Sequence, residues 1–235
     1  MKPVTTLLYY TANLLPERFA EGIRQTLLRV GGGRPIVSVS QHPLSFGHNI
    51  CVGNIGSSQF NCYTQILTGT CYITTPYIIC CEDDALYSPE HLDFIPPRDD
   101  TFYYNYSRYS VDPTQYFRRP NRTIMGMCVC STALLRHTLT ERLSKYPHSR
   151  DSMVKYFAEP GKYEGALGLP EVPMESFRTT IPSLTFNHRP SLGGVRKLQP
   201  TDESTPTLPY WGPADHLWNL YQPHTDAPQC TREHG

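Results

Sequence analysis

Val4 to Tyr10 is an apolar, β-branched run followed by the turn Thr11-Ala12-Asn13. Its length and composition predict a buried strand. Pro16 then opens a helix at its first position, and Glu17 suits the positive end of that helix. Phe19, Ile23, Leu27 and Val30 recur with helical period, and Gly31-Gly32-Gly33 stops the helix. Pro35 to Ser40, with Ile36, Val37 and Val39 apolar, predicts a second strand. Strand, helix and strand in this order imply a right-handed crossover between parallel strands. Residues 41–56 are expected to form a loop containing Gly47, Gly53 and Gly56. Ser57 is expected to cap a helix with Phe60, Tyr63, Leu67 and Cys71 on one face. The apolar run 76–81 is a third strand. The first third of the chain therefore reads as a nucleotide-binding half-fold.

Farther along, Ser88-Pro89-Glu90 starts a short helix through Leu92, and residues 96–100 form a rigid turn. Strands are expected from Thr101 to Tyr106, from Thr123 to Ser131 and near 181–186. Ser131 is expected to cap a helix striped by Leu135, Leu139 and Leu143, and another helix is expected over about 150–158. Beyond Val195, prolines and polar residues dominate, with Trp211 and Trp218 as isolated anchors. The expected organisation is an α/β domain over residues 1–195, with a mainly parallel Rossmann-type central sheet. A Pro-rich extension over 196–235 is expected to pack on or near its site.

Composition narrows the function classes. The chain has 235 residues, 39% hydrophobic and 18% charged, enough for one sizeable core. Twenty-one basic residues balance 21 acidic ones, so no global basic field holds nucleic acid and any such binding needs a local patch. No stretch approaches the roughly 20 apolar residues of a membrane span. Met1-Lys2-Pro3-Val4 lacks an export-signal pattern, so the expected location is the cytoplasm. The eight cysteines include no C-x-x-C pair, and we expect reduced core thiols. Sixteen tyrosines suit surfaces that meet sugars, bases or partners.

The chemistry concentrates where the third strand ends, at Glu82-Asp83-Asp84. Carboxyl ends of strands are where open α/β sheets bind ligands. Glu82 and Asp84 point to the same side of an extended segment and can share a hard divalent cation, manganese or magnesium. His188, in Asn187-His188-Arg189, can complete such a site, and Arg189 and Arg196 can contact phosphate. The alternative for the triplet is an exposed acidic turn, and for His188 a structural role.

Several segments together resemble a GT-A-type glycosyltransferase, specifically a phage and metagenomic group associated with glycosylation of 5-hydroxymethylpyrimidines in DNA. They are residues 8–13 (Leu8 to Asn13), 35–40, 46–49 (Phe46-Gly47-His48-Asn49), 65–67, 81–87 around the acidic triplet, 96–105, and Phe186-Asn187-His188-Arg189. Members of the group commonly carry Glu-His-Asp where this chain has Glu82-Asp83-Asp84, and an aspartate where it has Phe186. The resemblance implies metal-dependent transfer of a sugar from a nucleotide-sugar, a UDP-sugar in the first instance, to a hydroxyl acceptor. It implies metal ligation by Glu82, Asp84 and His188, and donor binding by Tyr10, Thr11, Asn13, Ser40, Glu82 and Arg189. An inverting enzyme also needs a base, for which Glu175 is the first choice and Asp83 the second.

For the acceptor, the resemblance implies hydroxymethylated DNA such as 5-hydroxymethylcytosine. The local support is aromatics interleaved with arginines over 103–122, from which Tyr104, Asn105, Arg118, Arg119 and Arg122 are expected to meet the acceptor. A tyrosine-rich strand pair with a solvated basic turn reads as well. Two alternatives stay open: a glycosyltransferase acting on a glycan or protein, and a non-catalytic nucleotide-sugar or nucleic-acid binding protein of the same fold.

Overall fold

The computed structural model describes residues 4–118, 120–147, 158–188, 195–200 and 202–222. Its centre is β1 (Thr5–Thr11), all seven residues of which are buried. Burial on both faces explains the unbroken apolar run, because a strand covered on both sides has no solvent face to make polar. β1 pairs in parallel with β2 (Ile36–Ser40) on one side and β4 (Tyr77–Glu82) on the other. β3 (His48–Cys51) extends the sheet beyond β2, also in parallel. On the far side β9 (Cys128–Ser131) runs antiparallel to both β4 and β6 (Phe102–Asn105), and β10 (Met174–Phe177) pairs in parallel with β6. The sheet order is β10-β6-β9-β4-β1-β2-β3, a mainly parallel central sheet as expected.

Helices cover both faces. α2 (Gln59–Thr70) and α4 (Thr132–Lys145) pack Ile66, Leu135 and Leu139 against Leu8, Val39, Ile78 and Cys80. α1 (Glu17–Val30) and α3 (Pro89–Asp93) contribute Leu27 and Leu92 to the opposite core with Leu7, Tyr9, Ile79 and Cys81. The described cysteines are free thiols; Cys80, Cys81, Cys128 and Cys130 are buried as expected, whereas Cys51 and Cys71 are exposed and Cys62 is half-buried, against the expectation of core thiols. No helix among the described residues is long and apolar enough to cross a membrane.

A second sheet stands against the end of the first, in the order β12-β8-β7-β11-β5. Its strands are β5 (Ala85–Leu86), β7 (Arg108–Val111), β8 (Tyr116–Arg118), β11 (Ser183–Phe186) and β12 (Glu203–Thr205). β5 follows directly on the acidic triplet and pairs antiparallel with β11, Leu86 opposite Leu184 and Ala85 opposite Thr185. The amide of Phe186 also donates to the carbonyl of Asp84 at 2.9 Å. These bonds bring residues about a hundred positions apart to one corner.

Four expectations change. The cap of α2 is Ser58, one residue later than expected, with its hydroxyl accepting from the Asn61 amide at 3.1 Å. The loop 41–56 contains β3, a short, half-polar strand that carries no apolar alternation to betray it. Gly47, which leads into β3, has φ +61°, and a Cβ there would meet the Ile36 carbonyl oxygen at 2.5 Å. The expected strand from Thr123 begins only at Cys128, because Met125–Met127 form a 3-10 turn. The Pro-rich extension after Val195, for which no regular elements were expected, carries several. It supplies β12, a ribbon of β13 (Thr207–Leu208) and β14 (Gly212–Pro213), and α5 (Ala214–Tyr221). Leu217, Trp218 and Tyr221 of α5 share a core with Phe19, Ile23 and Phe186, and Tyr221 meets Thr26 through their hydroxyls at 2.6 Å. The helix expected at about 150–158 lies almost wholly outside the described residues.

One buried ion pair ties α4 to the segment after residue 158. Arg142 and Glu164 are almost wholly shielded from solvent and bond through Arg142 Nε to Glu164 Oε1 at 2.8 Å. Arg142 Nη1 also donates to the Ala158 carbonyl at 2.7 Å, and Glu164 Oε2 accepts from the Gly161 amide at 2.8 Å. Replacing Arg142 by Met strands a buried carboxylate, so Arg142→Met should cost about 3–5 kcal/mol. Urea unfolding monitored by circular dichroism measures this, and an unchanged midpoint would show that the pair adds no net stability.

Candidate functional site

A cavity of about 590 Å³ opens at the carboxyl ends of β1 and β4. One wall is the second sheet, with Arg108, Ser110, Thr185 and His188. The other is the N-terminal end of α2 with Tyr63, together with Ala158 and Glu159. Tyr10, Thr11 and the acidic triplet form the floor between them.

The parallel register of β1 and β4 sets Tyr10 beside Glu82, and Tyr10 donates its hydroxyl proton to Glu82 Oε1 at 3.1 Å. Thr11 likewise donates to Asp83 Oδ2 at 2.5 Å. The Glu82 amide donates to the Tyr87 hydroxyl at 2.8 Å. Gly126, in the 3-10 turn, passes so close that a Cβ there would stand 2.5 Å from Glu82 Oε2. Burial, reinforced by the neighbouring Asp84 charge, pushes the Glu82 carboxyl up to about 8 and that of Asp83 up to about 7.

Asp84 reaches farther into the cavity. Its Oδ2 lies 2.9 Å from His188 Nε2, a meeting made by the β5–β11 pairing. Adjacent ligands of an octahedral cation with bonds of about 2.1 Å stand ~3.0 Å apart, so this spacing fits two neighbouring positions on one ion. His188 Nδ1 is buried and has no hydrogen-bond partner among the described residues. No group of three or more His, Cys, Asp or Glu among the described residues is arranged to hold a cation. Asp84 and His188, hydrogen-bonded to each other, are the two residues here that could each give one ligand to a cation.

Opposite charge comes from Arg108 of the second sheet and from two arginines outside its strands. Arg108 is 6% exposed, and its Nη1 donates to Thr185 Oγ1 at 2.6 Å and Ser110 Oγ at 3.2 Å. Burial, with Arg196 and Arg122 nearby, lowers its pKa to about 10, so it stays charged at neutral pH. Arg122 and Arg196 line the same cavity. Asn187 holds the Arg196 backbone, accepting from its amide at 2.8 Å and donating to its carbonyl at 2.9 Å. Sequence reasoning placed Arg122 at the acceptor and gave Arg108 no role of its own. The available sign was a charged residue flanked by strand-forming tyrosines, which must either face solvent or serve a site.

The remaining expected site residues separate clearly. Tyr10, Thr11, Glu82, Asp83, Asp84, Arg122 and His188 come together on the cavity. Asn13 and Ser40 stand behind it. The side-chain oxygen of Asn13, whose φ is +55°, accepts from the amides of Gln41 and His42 at 2.8 and 3.0 Å. Ser40 is buried and donates to the His42 carbonyl at 2.6 Å. Both shape the loop after β2 rather than facing a ligand. Glu175 is exposed on β10 at the edge of the main sheet and does not line the cavity. Tyr104 is wholly buried in β6 and donates to the Pro160 carbonyl at 2.8 Å, so its ring cannot stack on an incoming base. Asn105 is also buried, accepting from the Ser107 amide at 2.7 Å and donating to Thr179 Oγ1 at 3.2 Å. β6 is buried on both faces, so these neighbouring side chains, which point to opposite sides of the sheet, are both covered, where the sequence expectation had them meeting the acceptor. Arg118 pairs with Glu203 of β12, its Nε 2.7 Å from Oε2, away from the cavity. Arg119 and Arg189 lie outside the described residues.

No protein-family model matches the chain, and no curated protein matches it in sequence. Solved structures do share its fold. A glycosyltransferase involved in the glycosylation of the major capsid of PBCV-1 superposes with a TM-score of 0.51 at 10% identity, over 78% of this chain and 94% of that one. S. aureus TarS 1-349 in complex with UDP-GlcNAc gives 0.47 at 9% identity, over 83% of this chain and 62% of that one. The bifunctional IspDF from Campylobacter jejuni gives 0.44 at 13% identity, over 78% and 52%. The chain thus has a GT-A-like α/β fold, and its chemistry has to be argued from the cavity.

The burial of Glu82 has a measurable consequence. The unfolded chain ionises this carboxyl near 4.5, whereas the fold keeps it protonated up to about 8. Its contribution to stability is complete below about 4.5 and is lost as pH rises toward about 8. Raising the pH from 5 to 8 should therefore lower the melting temperature of the unmodified protein relative to Glu82→Gln. Thermal melts of both proteins across that range test this, and parallel curves would contradict it.

Proposed function

We propose that the protein is a metal-dependent glycosyltransferase that moves a sugar from a nucleotide diphosphate donor, a UDP-sugar in the first instance, to a hydroxyl acceptor. The observation that carries this reading is the pairing of opposite charges in one cavity. Acids held at the end of β4 share the cavity with Arg108 of β7 and with Arg122 and Arg196 from the segments that flank the second sheet. A nucleotide-sugar diphosphate is the ligand that uses both, because it can share a cation with carboxylates and accept hydrogen bonds from arginines. The GT-A-like fold supports the reading without deciding it.

Asp84 and His188 would hold the cation, manganese or magnesium, with Glu82 behind them as a half-buried, hydrogen-bonded neighbour. When bound, the cation supplies charge stabilisation to the departing diphosphate. Arg108, Arg122 and Arg196 hold the diphosphate oxygens, and Arg108 needs no reorganisation to do so, since Thr185 and Ser110 already fix one of its nitrogens. Tyr10 and Thr11 orient the two half-buried acids, Glu82 and Asp83.

The acceptor class rests on the sequence resemblance, which points to 5-hydroxymethylpyrimidines in DNA. The burial of Tyr104 and Asn105 takes two of the five expected acceptor contacts out of that argument, and Arg122 is shared with the donor. A glycan or protein hydroxyl is the competing acceptor.

The deciding experiment incubates the protein with manganese, a panel of nucleotide sugars, and duplex DNA with or without 5-hydroxymethylcytosine or 5-hydroxymethyluracil. Intact mass spectrometry reads the products. A sugar-sized mass gain confined to hydroxymethylated DNA supports the whole reading. Release of nucleoside diphosphate without a DNA product keeps the enzyme and discards that acceptor. Neither signal from folded protein would favour a non-catalytic binder. Asp84→Ala should fold normally and lose donor turnover by at least about 100-fold, in the range of a lost electrostatic stabiliser. Arg108→Gln should weaken binding of the nucleoside diphosphate about 10–100-fold by calorimetry, the loss expected for a charged hydrogen bond.

A further inference from the structure

We propose that Glu159 is the general base that takes the proton from the acceptor hydroxyl, an inference that rests on the glycosyl-transfer reading above. Four carboxylates line the cavity among the described residues: Glu82, Asp83, Asp84 and Glu159. Three of them share the end of β4, where Tyr10, Thr11 and His188 already engage them. That corner holds the leaving diphosphate. A base for in-line displacement must stand on the opposite face of the sugar ring. Asp83 is the neighbour of Asp84 and already accepts a hydrogen bond from Thr11. Glu175 does not reach the cavity.

Glu159 belongs to the other wall, beside Tyr63 of α2. Its backbone is fixed from three directions. The Ala158 carbonyl accepts from Arg142 Nη1 at 2.7 Å, the Glu159 carbonyl accepts from the Lys162 amide at 3.2 Å, and the Pro160 carbonyl accepts from Tyr104 at 2.8 Å. The buried Arg142–Glu164 pair anchors this stretch. A half-buried carboxylate on a rigid support, facing a polar cavity, is what proton abstraction requires. The same account gives Tyr104 and Arg142 a purpose: both hold the segment that carries Glu159.

The step balances as follows. The acceptor oxygen bonds to the anomeric carbon, and the bond from that carbon to the diphosphate oxygen breaks. The electron pair of that bond leaves with the nucleoside diphosphate. The acceptor proton passes to the Glu159 carboxylate and then to water. Anomeric configuration inverts.

The test uses the full chain and the nucleotide sugar that the unmodified protein turns over, with water as the simplest acceptor and with azide as a nucleophile that has no proton to lose. Glu159→Gln should lower kcat for hydrolysis and for transfer about 100–10,000-fold, the usual worth of a positioned base, and leave donor KM unchanged. Azide should still form the glycosyl azide at the rate of the unmodified protein, which also certifies that the variant is folded. Glu159→Asp should recover part of the lost rate. Unchanged kcat in Glu159→Gln would overturn the assignment, as would parallel loss of the water and azide reactions, or retention of anomeric configuration. Absence of any donor turnover by the unmodified protein would overturn the glycosyl-transfer reading itself, a result distinct from turnover that survives the loss of Glu159.

Discussion

A single backbone hydrogen bond, from the Phe186 amide to the Asp84 carbonyl, marks the joint on which the molecule turns. It extends the β5–β11 ladder to the residue that ends the main sheet. Without that ladder the acids of β4 would project into solvent as an ordinary acidic turn. With it they become the floor of a cavity whose far side is a second sheet. The apolar residues around the joint hold it closed. Phe186 packs edge-on against Phe19 of α1 at 4.9 Å, and α5 closes over both. The chain after Val195 thus acts on the site at a distance, through the aromatic core beneath His188.

Charge in this cavity is divided by origin. The carboxylates come from the end of β4, whereas the guanidiniums come from β7 of the second sheet and from the segments that follow β8 and β11, so neither sheet makes the site alone. Burial makes each set costly by itself. Glu82 and Asp83 respond by holding their protons, and Arg108 is held by hydroxyls and by the acids across the gap. A ligand carrying both a cation and phosphates relieves both costs together. Pre-organisation of this kind places the energetic burden on the folded, ligand-free state, where it is offset by the apolar cores on either side.

Much of this was legible from residues close together in sequence. The continuous apolar run of β1, the helical period of Phe19, Ile23 and Leu27, the Ser131 cap and the acidic end of β4 are local patterns with local physical causes, and they appear in the structure. His188 was also readable, since a histidine after an apolar strand is a recognisable donor. What escaped depended on contacts across long separations. Arg108 and Glu159 acquire meaning only when the second sheet and the Arg142–Glu164 pair put them on one cavity. Tyr104 and Asn105 misled because aromatic content alone does not say that a strand is covered on both faces. β3 escaped because an edge strand with polar residues has no hydrophobic alternation to read. α5 escaped because its apolar stripe, Leu217, Trp218 and Tyr221, sits in a proline-rich stretch.

Glu175 has a different significance from the catalytic one its sequence context suggested. β10 is an edge of the main sheet among the described residues, and an edge strand carries unpaired backbone groups that invite another chain to continue the sheet. Glu175 and Ser176 stand exposed on that strand. A carboxylate there makes stacking of a second copy electrostatically unfavourable, since the same charge would recur along the growing ribbon. At the opposite edge β3 is only four residues long and begins and ends on exposed side chains, which limits the register available to an invading strand. The sheet that presents the site is in this way protected at both margins from self-association into fibrils.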